Sequence, residues 1–437
     1  MKKRAIEEVT LEKIVGGGQS LGRLADGRAV FVWGALPGEK AIVEITKKKS
    51  TYAEGTATQI IASSQERVQP EDPESYLSTS PWQIMTFEAE QRYKAALIEE
   101  AFELHNIVLP DPISLYTDGR QYHYRNKVEF SFFGHEDSDG TPRLDLAFFR
   151  RGSKGKIIVT KTSLLPEAML AVCKELVSFL ESSSISAREL KTLLVRSDQQ
   201  GQCVWQLYVK SREFPLTASD IAPHVSALGG EVIYSDPKSP ASRITERLSS
   251  TGTTVLTDVI RGIPFRYATE SFFQVNIPVY EQALEDMSHW VDDGNTVDLY
   301  AGVGSIGLTI GKHRVTLVEI NQDAVREMRR NIEALNRQNG AEAVLAPSEK
   351  SLEYISHDSS IIVDPPRAGL HKDVIQALLD ASPERIIYLS CNPVTQARDV
   401  ALLAEKYGIR HHRGYNFFPR TPHIEHLVIL DLISSNR

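Results

Sequence analysis

The stretch "DLYAGVGSIGL" (298–308) decides the fold. An apolar strand end runs into Gly302-x-Gly304-x-x-Gly307 and then into the start of a helix. Glycines let the backbone approach a ligand closely, and a helix start offers unpaired N–H groups. On both sides of it, from about Phe265 onward, apolar strand candidates alternate with amphipathic helices. The order is "TVDLY", the glycine turn, "VTLVEI", a helix over 322–337, "AVLA", "SIIVDPP", a helix over 371–380, "RIIYLSC", a helix over 394–406 and "EHLVILDLI". Repeated βα units with buried strands predict an α/β fold with a doubly wound, Rossmann-like parallel sheet over residues 265–437.

Upstream the pattern is different. Residues 1–62 carry short β-rich runs separated by Pro37-Gly38, an Asp26-Gly27 hairpin signal and a Lys-rich turn. Five strands in so short a span predict a small barrel, of OB or SH3-like type. Residues 63–88 are polar and proline-bearing, and read as a linker. Residues 89–120 read as a helical segment packing on the sheet domain, with Tyr93, Leu97, Ala101 and Leu104 on one face. Residues 121–264 read as a central α+β domain. It has runs such as "VEFSFFG" and "CVWQLYVK", an acidic hairpin loop "HEDSDG" and one helix near 166–180.

No run approaches the ~18 apolar residues of a membrane span. The start, "MKKRAIEEVTLEK", has no apolar stretch behind its basic tip, which argues against a secretory signal. Cys173, Cys203 and Cys391 are too few and too scattered for a disulfide framework or a zinc site, so a reducing cytoplasm is expected. The net charge is −8, against nonspecific polyanion binding. Residues 1–60 hold ten Lys/Arg against seven Asp/Glu, a local +3 that leaves −11 on the rest. The Lys47-Lys48-Lys49 cluster reads as a solvated turn or as an RNA-facing edge.

Candidate site residues collect at the carboxyl ends of the predicted strands, where open α/β sheets bind ligands. Glu319 ends the strand after the glycine turn and offers a carboxylate to ribose hydroxyls. The turn alone does not separate a nicotinamide cofactor from S-adenosylmethionine; Asp298 before it favours the latter. In "IIVDPPRAGL" (361–370), Asp364 follows a buried strand, as a site residue or as a cap. Cys391, in "YLSCNP", ends the next strand among small and polar residues. It reads as a nucleophile against the alternative of an inert buried thiol. A helix beginning near Val394 is expected to favour its thiolate. Glu425, between His423 and His426 in "FFPRTPHIEHLVIL", reads as a base of raised pKa. The same three residues also read as a metal site without further ligands, and no metal is expected. "YATESFFQVN" (267–276) reads as core or as a cleft wall with Gln274 bonding a ligand.

Together, "FFQVN", "DLYAGVGSIGL", "DPPRAGL", "YLSCNP" and "FFPRTPHIEH" resemble the RNA uracil-5-methyltransferase family in identity and order. "YHYRNKVEFS" (122–131) resembles the family's central RNA-binding domain, and the N-terminal barrel resembles a TRAM domain, an OB-like RNA-binding module. The resemblance implies a Rossmann-like methyltransferase domain using S-adenosylmethionine, with Cys391 as nucleophile and Glu425 as general base. It implies that Gln274, Tyr300, Ser305, Glu319 and Asp364 bind the methyl donor or line the adjoining pocket. It implies RNA as partner, 23S ribosomal RNA ahead of the transfer-RNA T loop, no membrane, and a monomer. The chain departs from the family twice. Where many relatives hold an iron–sulfur cluster through cysteines before a "WQ" pair, this chain reads "PEDPESYLSTSPWQ", so no cluster is expected. Asn416 stands where relatives usually have an aspartate.

Overall fold

Strand alternation builds the first body. A computed structural model describes residues 5–153, 155–240 and 242–433; residues 1–4 of the expected barrel and 434–437 of the expected sheet domain lie outside them. Strands β1 (Ile6–Ile14), β2 (Ser20–Arg23), β3 (Ala29–Trp33), β4 (Lys40–Lys48) and β5 (Tyr52–Ala62) close into a barrel of order β1-β2-β3-β5-β4. Every second residue points inward, so Val9, Leu11, Val30, Val32, Val43 and Ala53 fill the interior. The parallel β3–β5 pair and the closing β1–β4 pair make it an OB-type barrel, which settles the choice against SH3. In the lysine cluster, Lys47 is tied to Glu54 at 2.5 Å and lies over the Tyr52 ring.

The polar stretch expected as a linker is instead packed. Past α1 (Tyr76–Thr79), Trp82, Gln83, Ile84 and Met85 are buried, and the Trp82 indole N–H donates to the Gly18 carbonyl of the barrel at 3.0 Å. Buried Asp72 accepts from the Ser163 N–H and hydroxyl and from the Gln83 amide, and Gln83 also donates to Ser80. Polarity here marks a hydrogen-bonded knot, since each buried polar group finds a partner. Helix α2 (Phe87–Glu103) buries Leu97, Ile98, Ala101 and Phe102 in the sheet core. Leu104 is exposed, because the helix has already ended there. The same segment then supplies β6 (Leu115–Tyr116), an edge strand beside Gly414 and Tyr415.

The central body is a seven-stranded sheet of order β13-β12-β11-β10-β7-β8-β9. Its strands are β7 (Lys127–Glu136), β8 (Pro142–Phe149), β9 (Lys156–Ile158), β10 (Leu190–Ser197), β11 (Cys203–Val209), β12 (Gly229–Tyr234) and β13 (Glu246–Gly252). Helices α3 (Glu167–Ser182) and α4 (Ala218–Ile221) cover it. The hairpin β14 (Val255–Ile260) and β15 (Ile263–Ala268) straddles the expected 264/265 boundary and packs as one unit on the last domain. Leu256, Ile260, Phe265 and Tyr267 join the core of the last domain.

That last domain is the doubly wound sheet. Its elements are α5 (Ile277–Ser288), β16 (Asn295–Leu299), α6 (Ser305–Ile310), β17 (Val315–Glu319), α7 (Gln322–Ala334), β18 (Ala341–Leu345), β19 (Ser359–Val363), α8 (Lys372–Ala381), β20 (Arg385–Ser390), α9 (Pro393–Leu403), β21 (Tyr407–Tyr415) and β22 (Glu425–Leu432). Sheet order is β18-β17-β16-β19-β20-β22-β21-β6. Pairs from β18 to β20 are parallel, and β22 inserts antiparallel between β20 and β21. Alternate residues feed two cores, Ile362, Ile387 and Leu427 into one, Ile361, Ile386 and Val428 into the other. The chain reverses direction across the sheet between β16 and β19, so their carboxyl ends open the crevice where ligands bind in such folds.

Candidate active site

Two halves make the site. The first is the glycine turn after β16. Gly304 has φ +86°, a left-handed conformation that glycine adopts without strain, and it caps α6. A β-carbon at Gly307 would lie 2.6 Å from the Leu317 side chain, so only glycine lets α6 sit against β17. That approach brings the Gly307 N–H to Asp298 Oδ2 at 2.8 Å. Asp298 Oδ1 is buried and has no partner among the described residues, and burial pushes the carboxyl up to about 8. Glu319 accepts from the N–H groups of Gly302 (3.0 Å) and Asn321 (2.7 Å). Tyr300 carries a positive φ of 66° at the turn's entrance. The Ser305 hydroxyl is 2.8 Å from the Tyr280 hydroxyl, a partner that sequence reading missed because it sits on another helix. Gln274 is buried, its carbonyl held by the Asn126 amide at 3.0 Å. Neighbouring Asn276 has neither amide atom partnered among the described residues. Phe272 is exposed beside them, while Phe273 stacks inside on Tyr267.

The second half is the thiol. Ser390 pairs with His426 across β20 and β22, so the next residues, Cys391 and Glu425, face each other over the ladder's end. Cys391 sits in a tight turn. The Ser390 hydroxyl accepts the Asn392 N–H, and the Asn392 carboxamide caps α9 while donating to the Arg367 carbonyl at 2.9 Å. Asp399 holds the far side of that loop by accepting from the Leu370 N–H and the Tyr388 hydroxyl, both at 2.8 Å.

The electrostatics around the thiol oppose the help expected from the start of α9. Burial first, then Glu425 and Asp364, push Cys391 up to about 12, against which Arg367 pulls only weakly. Burial lifts Asp364 to about 7 and carries buried Glu425 well above its ordinary value, with Asp364 adding to the rise. Burial of both and the repulsion of Glu425 by Asp364 favour a proton held on this pair.

The flanking histidines do not join Glu425. His426 lies on the opposite face, beside Gln396 (2.8 Å) and His412 (3.3 Å), and His423 meets Arg367 at 3.0 Å. Among the described residues no group of His, Cys, Asp or Glu is arranged to hold a metal ion. Arg367 acts on both Cys391 and Glu425. Its position inside the quoted "DPPRAGL" was the available signal, and it went unread.

Residues 253–433 match the family model described as tRNA (Uracil-5-)-methyltransferase, and residues 2–58 match the TRAM domain. The sheet domain thus carries the match to the RNA uracil-5-methyltransferases. The chain is an RNA methyltransferase with an N-terminal TRAM domain. It is 28% identical to an uncharacterized RNA methyltransferase of Nitratidesulfovibrio vulgaris, over 97% of this chain and 95% of that one. A similar protein of Thermotoga maritima is 27% identical, over 97% and 99% of the two chains. Among solved structures, the fold matches the Pyrococcus abyssi tRNA (uracil-54, C5)-methyltransferase in complex with S-adenosyl-L-homocysteine. The TM-score is 0.77 at 22% identity, covering 98% of this chain and 100% of that one.

Proposed function

We propose that the protein transfers a methyl group from S-adenosylmethionine to carbon 5 of a uridine in folded RNA, through a covalent bond between Cys391 and the base. The observation that carries this reading is the β20–β22 register, which sets a thiol opposite a buried carboxyl of high proton affinity. The glycine turn fits the methyl donor. Asp298 Oδ1 is left unpartnered among the described residues, Glu319 ends β17 beside Gly302, and the space off Gly302 is open to 4 Å. Gln274, Tyr300, Ser305, Glu319 and Asp364 are the residues proposed to hold it or line its pocket. Bound there, S-adenosylmethionine supplies a methyl group on a positively charged sulfur.

The protein's own groups do the rest. Cys391 releases its proton to solvent and its sulfur bonds to carbon 6 of the uracil; the ring electrons move to an enolate that makes carbon 5 nucleophilic, and Glu425 must be ionised for the step that follows. Once carbon 5 is methylated, Glu425 removes its remaining proton. The electron pair left behind expels the thiolate and restores the ring. Glu425 is suited to this because a carboxylate of raised pKa is a stronger base. The uridine must leave its stack to reach Cys391, at a cost of a few kcal/mol, least in single-stranded loops.

The barrel led to 23S ribosomal RNA as the substrate, and that remains the proposal. A second reading, the T loop of transfer RNA, is favoured by the P. abyssi enzyme, which shares the fold along the whole chain. Incubation with each unmodified RNA, followed by mass mapping of 5-methyluridine, tests both. Methylation surviving Cys391→Ala would overturn the covalent mechanism.

A further inference from the structure

A cavity of about 380 Å³ leads to Cys391, and segments far apart in the chain line it. Gly17 and Trp33 come from the barrel, Thr79 from the knotted segment, Arg151 from the β8–β9 turn, and Arg367 from the loop after β19. Arg151 is held rigidly at this junction. Its guanidinium carbon lies 4.3 Å from the centre of the Trp33 ring, its backbone N–H donates to Ser78 Oγ at 3.1 Å, and its Nε donates to the Leu77 carbonyl.

These contacts orient the guanidinium plane and leave its two terminal nitrogens without a protein partner among the described residues. No described carboxylate pairs with it either. Burial pulls its proton affinity down, and no neighbouring anion restores it. The surroundings are also cationic. The His423 imidazole, which lines the same cavity, is lowered to about 4 by burial and by Arg367, Lys94, Arg125 and Arg151. A chain of net charge −8 has gathered cations at one mouth. A planar fork with two free donors matches the oxygens of a phosphate.

We propose that Arg151, braced on Trp33, binds a phosphodiester of the RNA next to the target uridine, so that barrel and central sheet jointly hold the strand at the entrance to Cys391. This rests on the RNA-uridine reading above and deepens it.

The test compares wild type with Arg151→Gln and Arg151→Lys on unmodified ribosomal RNA fragments and transfer-RNA transcripts, titrating RNA affinity against salt. Arg151→Gln should weaken binding about tenfold, as expected for losing a charged hydrogen-bonding partner. It should also flatten the slope of log affinity against log salt by about 0.7, the value for one single-strand phosphate contact. The loss should fall on the KM for RNA more than on kcat and spare the KM for S-adenosylmethionine, while the melting temperature drops modestly with the contacts to Trp33 and Leu77. Arg151→Lys should recover the slope and only part of the affinity. Neutral methylphosphonate linkages, placed singly around the methylated uridine, should at one position weaken wild type as much as the mutation does and leave Arg151→Gln unaffected.

A wild-type salt slope in Arg151→Gln would overturn the proposal, as would neutral linkages that weaken both proteins equally. Competition by inorganic phosphate that depends on Arg151, without any coupling to a linkage, would assign the site to free phosphate instead and also overturn it. Absence of 5-methyluridine with wild type would sink the functional reading alone, since the salt slope needs no turnover.

Discussion

Gly18, in the hairpin between β1 and β2, packs so tightly on Pro422 that a β-carbon at residue 18 would lie 2.2 Å from the Cβ of the proline. The barrel is therefore seated on the loop that carries His423 and leads into Glu425, and it forms one wall of the cavity at Cys391. Gly18 also has φ +92°, which penalises any side chain. Gly18→Ala should push the hairpin off the loop, destabilise the protein by about 1–3 kcal/mol, and raise the KM for RNA more than it lowers kcat. Thermal melting and steady-state kinetics check this; an unchanged melting temperature would show that the hairpin is not seated there.

Glu425→Gln keeps the shape of the site and removes the base. With Cys391 intact, the methylated base cannot lose its carbon 5 proton, so protein and RNA should accumulate as a covalent adduct. A denaturing gel should show the slow band in Glu425→Gln and none in the Cys391→Ala, Glu425→Gln double variant. Free turnover by Glu425→Gln would assign the base elsewhere.

Asn416 answers a question that its position in the motif leaves open. Its amide nitrogen donates to Glu90 Oε1 at 2.8 Å, and its oxygen accepts from Lys94 at 2.6 Å. Glu90 also takes the Arg420 N–H, which anchors the loop before Glu425. An aspartate would turn the donor into an acceptor facing a buried carboxylate. Asn416→Asp should therefore destabilise the protein by about 1–3 kcal/mol instead of improving it. Lys94→Met, which leaves Glu90 buried without its ammonium, should cost about 3–5 kcal/mol. Denaturant titrations measure both.

The raised acid groups fix the sign of the pH dependence. Cys391 near 12 and Asp364 near 7 are protonated at low pH, and the reaction needs protons removed. Single-turnover methylation should rise with pH from 6 to 9; a fall over that range would contradict the assignment. Stability runs the other way. Asp298 is raised to about 8 from 3.8, so its contribution is full below about 4 and is lost as pH rises through 8. The ligand-free melting temperature should drop between pH 6 and 9, and Asp298→Asn should blunt that drop.

How legible the molecule was in its sequence depends on how local each feature is. The glycine turn, the strand ends at Asp364 and Cys391, and the helices after them are set by neighbours in sequence, and they could be read. Strand β6 and the hairpin Val255–Ala268 could not, because their place depends on distant partners, Tyr415 for one and the core around Tyr280 for the other. Residues 63–88 looked like a linker because hydrophilic composition does not tell a solvated chain from buried groups bonded to Ser163. The start of α9 was expected to favour the Cys391 thiolate. Burial and two carboxyls oppose it, and those carboxyls follow β19 and begin β22, one earlier and one later in the chain. Arg151 and Trp33 are 118 positions apart and give no joint signal in sequence.

The β20–β22 ladder acts as a ruler. Because β22 alternates faces, a slip of one residue would present His426 in place of Glu425 to the thiol, and would turn a carboxyl-rich corner into an imidazole one. The spacing of nucleophile and base is thus written in backbone hydrogen bonds. The side chains around them can be repacked widely while the reacting pair stays in step.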